Sequence, residues 1–392
     1  MKSVSFAEAR RACAYFFLCP GLAYGIFTSR LPALKAQTGA NDAEVGLILL
    51  ALGLGSVCGL LTCGKAIRRS SSRTVLRVGS GLTILGLAAC GLAPRPLVLG
   101  GICAFTGLGI GLSDVAQNTQ GIMLESAYRK NCMSFMHAAY GLGGLAGALS
   151  GALCAWLGFG PSVNAACVLG LYSLGRPWAV PRLLPDTAPQ GSGATAERGR
   201  VPLFILCCGL LALLAFVIEG SVAEWGSLLL ATAKRAPDSV AALAFAVFSL
   251  SQVGGRWFGD RLRDSVGDFL LCLVGGLTCA CAMLLVLVSA SPAVCLTGYA
   301  IMGLAISPVV PILFSRAGQY PGVSPVRASE TVSIMSYSGL LFFPPLLGFG
   351  AQHYGLERTL MVISVLCLVV AAGAFPLRKN GERRPVGSRR GT

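Results

Sequence analysis

The chain has 392 residues, of which 54% are hydrophobic and 12% are charged, and its formal net charge is +15. The charged share is about half that of an average soluble protein, so no separate soluble catalytic domain fits into the chain. The positive residues are dispersed over many short segments, which argues against the single basic stripe of a nucleic-acid-binding protein and for contact with anionic lipid headgroups.

Twelve apolar stretches follow one another along the chain, each long enough to cross a bilayer as a helix. We predict spans at 12–33, 44–64, 74–93, 97–121, 134–157, 161–180, 202–224, 239–258, 267–290, 293–315, 329–352 and 357–377. Pro308 and Pro311 should kink or break the tenth span, because proline removes a backbone donor. The predicted fold class is an all-α polytopic membrane protein with twelve transmembrane helices.

A polar segment rich in Pro, Gly and Ser separates six spans from the other six and has no hydrophobic periodicity. We predict an N-terminal six-helix bundle at 1–180, a flexible cytoplasmic linker at 181–201, a C-terminal six-helix bundle at 202–377 and a basic cytoplasmic tail at 378–392.

Lysine and arginine are distributed unevenly between alternate gaps. If the first gap faces outward, 25 of the 31 basic residues fall in inner gaps and tails, and 6 fall in outer gaps. Cytoplasmic loops collect Lys and Arg, so both termini are predicted to be cytoplasmic and the number of spans even.

Four short segments carry a resemblance to a known family. They comprise Ser29 to Pro32 closing span 1, Asp114 to Asn118 in span 4, Ser134 to His137 opening span 5, and Gly259 to Arg261 after span 8. With its twelve spans, the chain resembles the major facilitator superfamily over essentially its whole length. Within it, the chain is similar to the bacterial YbjJ/MosC-like branch and, more distantly, to fucose permease. The resemblance implies two pseudo-symmetric six-helix bundles, alternating access and a bacterial inner membrane.

The loop pattern G-x-x-x-D-R-x-G-R-K of that superfamily is partly present in both halves. In the loop after span 2, Gly64 and Arg69 fit it while Arg68 takes the acidic position. After span 8, Asp260 and Arg261 fit, and we expect this pair to anchor the inner loop. In that second loop, the two glycine positions hold Arg256 and Arg263.

Asp114 is the most informative single residue. An acid inside a span costs about 2.5–3.5 kcal/mol on insertion scales, so it must face a cavity or a partner. We place Asp114 in the inner third of the bilayer, with Asn118 one turn further along and His137 at a similar depth across the hairpin. Two interpretations stay open for this cluster: a proton- or substrate-binding site, or a hydrogen-bonded clamp between spans 4 and 5.

Further charged residues suggest gates at both ends of the predicted cavity. Glu219 lies in the outer third of span 7 with Glu224 near its end, and we expect Arg30 to pair with one of them when the outer side closes. The alternative is that Arg30 and Glu224 extend to the headgroups. Arg316, at the inner end of span 10, is expected to meet the span 4–5 cluster when the inner side closes.

Two local patterns have simpler structural interpretations. Glu125 and Arg129 have the spacing of an ion pair at a helix end. Small residues four apart predict close helix packing rather than nucleotide loops. They occur at Gly55/Gly59, Gly107/Gly111 and Gly143/Gly147/Gly151.

The chain is therefore predicted to be a secondary active transporter for a small organic solute, with a polar or sugar-like substrate favoured. A proton is the expected coupling ion, carried by Asp114 or Glu219, and no other cofactor, metal or enzymatic activity is expected. We expect a monomer whose partners are the solute and the lipid bilayer, with no nucleic acid. The alternatives are a multidrug or metabolite efflux antiporter and, in a different class, a transport-inactive membrane sensor or scaffold.

Overall fold

The computed structural model describes residues 4–40, 42–186, 200–236, 238–241 and 243–379. Within these residues the chain forms helices and turns, with no strand. The long helices are α1 (Phe6–Thr38), α2 (Asp42–Arg69), α3 (Ser72–Cys90), α4 (Pro96–Tyr128), α5 (Met133–Trp156), α6 (Pro161–Ala179), α7 (Leu203–Leu228), α8 (Leu243–Val266), α9 (Asp268–Val288), α10 (Pro292–Ile306 and Val309–Gly318), α11 (Pro325–Tyr354) and α12 (Leu356–Ala372). The all-α prediction is confirmed.

Local sequence explains where several helices begin. The side chains of Ser71 and Ser324 accept hydrogen bonds from Thr74 N and Arg327 N, so they cap α3 and α11. Pro96, Pro161 and Pro292 stand in the first turn of α4, α6 and α10, where a missing N–H leaves no bond unmade.

Two prolines divide α10, as the sequence predicts. Its first segment ends at Ile306 and its second begins at Val309, with Ser307 and Pro308 between them. Pro311 has no N–H to donate to the carbonyl four residues earlier, so the carbonyl oxygen of Ser307 is released from the helical ladder.

Eight of the helices in the described part of the chain have the length and mean hydropathy needed to cross a membrane. The remaining four long helices, α5, α6, α8 and α11, pack directly against these: α5 and α6 on α1, α8 on α10, and α11 on α7. Together they form a polytopic helical bundle.

Each half of the chain packs mainly through its own helices. In the first half α1 packs on α5, and α4 packs on α2 and α3; in the second half α7 packs on α11, α8 on α10, and α9 on α12. The halves meet where α5 contacts α8 and where α11 contacts α2 and α4.

Glycines let the backbones of the first half approach closely. A Cβ atom at Gly107 or Gly111 would overlap carbonyl groups of α2, and one at Gly143 or Gly147 would overlap carbonyl groups of α1. The small-residue patterns are therefore helix-packing surfaces, as predicted.

The two ends of the bundle are named here by the chain termini. The terminal face holds the first turn of α1, the end of α6, the start of α7, the α2–α3, α4–α5, α8–α9 and α10–α11 connections, and the last turn of α12. The opposite face holds the α1–α2, α3–α4, α5–α6, α7–α8, α9–α10 and α11–α12 connections. Helix α4 continues seven residues past its predicted end, because helical hydrogen bonding does not stop where polar side chains begin.

The start of the predicted linker is held against the first half. Leu184 exchanges two hydrogen bonds with the Gln120 side chain, at 3.0 and 2.9 Å, and the Asp186 carboxylate accepts from Ser72 N and Oγ at 2.6 Å each. These residues were predicted to be flexible, but buried Gln120 provides their backbone with hydrogen-bond partners. Positions 187–199 of the linker and 380–392 of the tail lie outside the described residues. The predicted domain limits stay a prediction.

Candidate functional site between the two halves

Asp114 and Asn118 lie together, as predicted, and face the second half. Oδ2 of Asp114 accepts a hydrogen bond from Ser333 Oγ at 2.6 Å, and Oδ1 accepts one from Tyr337 Oη at 3.4 Å. Asn118 Nδ2 donates to the Asp114 carbonyl at 2.9 Å and to Oδ1 at 3.4 Å. We call this junction of Asp114, Asn118, Ser333 and Tyr337 the α11 contact. Asp114 lies near the middle of α4 (Pro96–Tyr128), and its predicted depth in the bilayer stays a prediction.

His137 is placed differently from the prediction. Its ring lies against the rings of Phe17 and Phe314, with centroid distances of 5.4 and 5.8 Å. Among the described residues, no hydrogen bond joins His137 to Asp114 or Asn118. The predicted cluster is therefore split, since α5 turns this residue towards α1 and α10 while α4 turns Asp114 towards α11.

Glu219 forms a polar group within the second half. Its Oε2 accepts from Gln252 Nε2 at 2.8 Å and from Arg256 Nη2 at 3.4 Å, and both partners are on α8. The Glu219 side chain is 28% exposed, whereas that of Arg256 is 6% exposed.

Arg30 contacts its own half in this conformation. Its guanidinium donates to the carbonyl oxygens of Gly151, at 3.3 Å, and Phe159. The side chain of Glu224 lies outside the described part of the structure. Pairing of Arg30 with Glu219 or Glu224 was predicted for closure of the opposite face, and it stays a prediction.

Arg256 is a residue of the candidate site that the sequence did not indicate. The charge pattern assigned it to an inner loop, but it lies within α8 and is 5% exposed. Its Nε donates at 3.3 Å to the carbonyl oxygen of Ser307, the group that Pro311 releases from the helical ladder. The adjacent Gly255 lets α8 approach, since a Cβ there would overlap the Ser307 hydroxyl. One signal in the sequence could have indicated this position: the pair Gly255-Arg256, together with a span that two prolines interrupt.

Tyrosine side chains lie near the two central carboxylates. Tyr140 of α5 lies within electrostatic range of Asp114, Glu219, Arg256 and Tyr24. Tyr24 is 52% exposed although it lies in mid-helix. The centre of the interface therefore contains polar side chains from both halves.

Two carboxylates cap the N-terminus of α5 at the terminal face. Glu125 Oε1 accepts from the backbone N–H groups of Cys132, at 2.7 Å, and Met133, at 3.0 Å. Asp260 of α8 accepts from those of Ser134, at 3.1 Å, and Phe135, at 2.9 Å. Donors that a helix start leaves unpaired thus bind one acid from each half.

Buried arginine completes this junction. Arg263 is ion-paired with Glu125 at 3.4 Å and with Asp268 at 2.5 Å, and Arg316 Nε lies 3.6 Å from Asp268 Oδ2. We call the group of Glu125, Asp260 and Arg263 with the α5 N-terminus the α5 lock. Arg316 contacts Asp268, which in turn is paired with Arg263.

Three sequence expectations change at the α5 lock. The Glu125–Arg129 pair was wrong, because Glu125 is buried and faces Arg263 while Arg129 is exposed at the end of α4. Asp260 binds α5 across the interface and not only its own loop. Arg261 is exposed, so the arginine that takes part is Arg263.

In the related pattern after α2, the glycine belongs to the pattern but the acid comes from a different helix. A Cβ at Gly64 would overlap the carboxylate of Glu330, so α11 supplies the acid and α2 supplies the space. Arg68 and Arg69 are exposed at the end of α2.

The bonds of the α5 lock and of the α11 contact lie between the middle of the bundle and the terminal face. Asn131 Nδ2 adds a bond to Asp264 at 2.7 Å at that face, and the rings of Phe135 and Trp257 pack at 5.5 Å. This conformation is therefore closed at the terminal face.

Two helical halves with a polar centre and one closed end define a membrane transporter fold. The family model of the Major Facilitator Superfamily matches residues 13–333, and the chain belongs to that superfamily. It is 30% identical to an uncharacterized MFS-type transporter of Yersinia pestis, covering 91% of this chain and 93% of that one. It is also 30% identical to the membrane protein MosC of Rhizobium meliloti, covering 95% and 92%.

A solved structure has the same fold. A point variant of the fucose:proton symporter FucP of E. coli superposes with a TM-score of 0.72 at 15% identity, covering 94% of this chain and 97% of that chain. The predicted family and fold are confirmed, and the chain is a transporter and not an enzyme.

Proposed function

We propose that this protein is a secondary active transporter that moves a small polar solute by alternating access and couples that movement to a proton on Asp114. The position of Asp114 supports this most directly. It is a carboxylate in the middle of a membrane-spanning helix, and its partners in the other half are the hydroxyl groups of Ser333 and Tyr337. An intramembrane acid of this kind is a functional group by default.

Protonation changes what Asp114 can bind. As a carboxylate it accepts two charge-assisted hydrogen bonds from α11. A proton taken from the opposite face removes the charge and weakens both bonds, so the halves separate more easily at the terminal face. Release of that proton to the terminal side restores the carboxylate and closes the contact. One titratable group thus biases a two-state element.

The polar centre supports a polar substrate. Glu219, Tyr24 and Tyr140 offer hydrogen-bonding groups between the halves. A structural neighbour is named as a fucose:proton symporter, and this likeness favours a sugar-like solute.

We place the terminal face, with both termini, on the cytoplasmic side of a bacterial inner membrane. The 25 to 6 division of basic residues supports this orientation, and the similar proteins MosC and the Yersinia pestis transporter are bacterial. A single chain supplies both sides of the site, which supports a monomer.

Reconstituted vesicles with an internal pH dye test this function against a panel of sugars, polyols, amino acids and drugs. The wild-type protein should change the internal pH when a polar solute is added, and the sign separates symport from antiport. Asp114→Asn should abolish the proton flux and retain exchange of solute across the membrane, since an amide keeps the shape of the side chain.

Asp264→Asn is the matched control, because Asp264 is an exposed carboxylate that accepts a bond from Asn131. Normal flux in Asp114→Asn would remove Asp114 from the mechanism. Flux with drugs alone would support an efflux antiporter, and no flux with any solute would support a sensor or scaffold.

A further inference from the structure

The polar group of Glu219, Gln252 and Arg256 differs from Asp114 in being complete within one half. Both described bonds to the carboxylate end on the same oxygen, Oε2, at 2.8 Å from Gln252 and 3.4 Å from Arg256. The side chain as a whole is 28% exposed. Glu219 therefore has a second oxygen with acceptor capacity at the polar centre of the molecule.

Arg256 is fixed from behind by the broken helix. Its Nε binds the carbonyl oxygen of Ser307 in the gap between the two segments of α10. Pro311 makes that oxygen available, and Gly255 gives α8 the necessary approach. Ser307, Pro311 and Gly255 together therefore hold the guanidinium in the position from which it contacts Glu219.

The charges of this pair depend on each other. An arginine stays protonated, and a buried unpaired charge is strongly destabilising, so Arg256 requires a carboxylate beside it. The carboxylate beside it in this structure is that of Glu219. Because Arg256 is 5% exposed, the group presented to a solute is the carboxylate and not the guanidinium.

We propose that Glu219 is a permanently ionised acceptor that binds the hydroxyl donors of the solute, with Arg256 as its positioning residue. The proton is then carried by Asp114 alone. This inference rests on the proposed function and assigns separate tasks to its two carboxylates. It also defines the substrate class: a solute rich in hydroxyl groups and without a free carboxylate, since a second anion would be repelled by Glu219.

Infrared difference spectroscopy of the purified protein tests the charge assignment without any solute. The C=O stretch of a protonated carboxylic acid is followed from neutral to mildly acidic pH. Asp114→Asn should lose the Asp114 component of the titrating band, to which buried Asp260 also contributes, and Glu219→Gln should leave the band unchanged. Arg256→Gln should gain a second band, which disappears in the Arg256→Gln/Glu219→Gln double variant.

A wild-type band that is lost in Glu219→Gln would overturn the inference, as would an Arg256→Gln spectrum equal to that of the wild type. Failure of the proposed function is seen separately, as proton flux that persists in Asp114→Asn.

Matched solutes test recognition. D-glucose and myo-inositol should raise the melting temperature of the wild-type protein, whereas D-glucuronate, which carries a carboxylate, should not. Glu219→Gln should weaken polyol binding roughly tenfold or more, because a hydrogen bond to a charged acceptor is replaced by one to a neutral acceptor. Stabilisation by glucuronate alone, or by none of the three, would overturn the recognition role.

Arg256→Gln separates positioning from a merely structural role. Once Arg256 is absent, a proton competes with the solute for Glu219. Polyol affinity should therefore fall more steeply as the pH is lowered in this variant than in the wild-type protein, where Asp114 alone couples affinity to protons. A pH-independent loss of affinity in Arg256→Gln would contradict the positioning role.

Discussion

The α5 lock and the α11 contact both join the two halves through carboxylates, but with different partners. In the α5 lock, Glu125 and Asp260 bind backbone N–H groups, and Glu125 is also paired with Arg263. In the α11 contact, Asp114 binds the hydroxyl groups of Ser333 and Tyr337. The α5 lock includes cationic and helix-end donors beside the neutral donors Ser315 and Gln319, whereas the described donors to the Asp114 carboxylate are all neutral.

This difference concerns the charge of the donors that each carboxylate meets. A guanidinium and the positive end of a helix both favour the ionised form of an acid, and the α5 lock contains donors of both kinds. Neutral hydroxyls stabilise a carboxylate less and leave it free to take a proton. The bonds of the α5 lock therefore break when the halves separate, whereas the α11 contact also weakens when Asp114 takes up a proton.

The largest effect is expected when the α5 lock loses its arginine. Arg263→Gln leaves Glu125 buried without its cation, and breaking a buried ion pair from one side costs about 3–5 kcal/mol. We expect a large fall in the melting temperature in detergent, measured by circular dichroism, and loss of transport. Asp114→Asn, by contrast, should change the melting temperature little, because its amide oxygen still accepts from Ser333.

The double variant Glu125→Gln/Arg263→Gln is the control for that prediction. It removes both charges, and Asp268 keeps Arg316 at 3.6 Å, so it should be more stable than Arg263→Gln alone. Equal losses in the single and double variants would show that packing, and not charge, holds the α5 lock.

An intermediate effect is expected at the glycines of the two regions. A Cβ at Gly259 would lie 2.8 Å from Cβ and Oγ of Ser134, which cannot move without shifting α5. Overpacking of this kind costs about 1–3 kcal/mol. At Gly64 the obstacle is the end of the flexible Glu330 side chain, so Gly64→Ala should cost less than Gly259→Ala.

Gly254→Ala is the matched control on α8, since a Cβ there meets nothing within 4 Å. Melting temperatures of the three variants check the order. A Gly64→Ala variant less stable than Gly259→Ala would reverse the comparison between the two regions.

The fold could be predicted because each helix carries its own signals. Apolar length, capping serines and first-turn prolines are local, and Pro308 with Pro311 is by itself enough to indicate the break in α10. Asp114 was found for a similarly local reason, since an acid inside an apolar span is conspicuous wherever it points.

Pairing across the interface could not be predicted in the same way. Glu125 has Arg129 at helical spacing, but its partner Arg263 is 138 residues away in another helix. Arg256 was assigned to a loop, because a charge count records only sequence position. Its position depends on α8, the broken α10 and α7 meeting in space.

The smallest effect is expected from one hydroxyl of the α11 contact. Ser333→Ala removes the 2.6 Å bond to Asp114 and leaves those from Tyr337 and Asn118, so we expect a loss of about 1 kcal/mol from the closed state. Ser336→Ala is the matched control, because that hydroxyl donates to carbonyl groups of its own helix.

Because Ser333 favours the ionised form of Asp114, its loss should shift the pH dependence of transport towards higher pH. At low pH, where Asp114 is already protonated in both proteins, the transport rates of Ser333→Ala and wild type should converge. A uniform reduction at every pH, or an equal shift in Ser336→Ala, would mean that Ser333 contributes only to packing. The α11 contact would then differ from the α5 lock in strength alone and not in its response to protons.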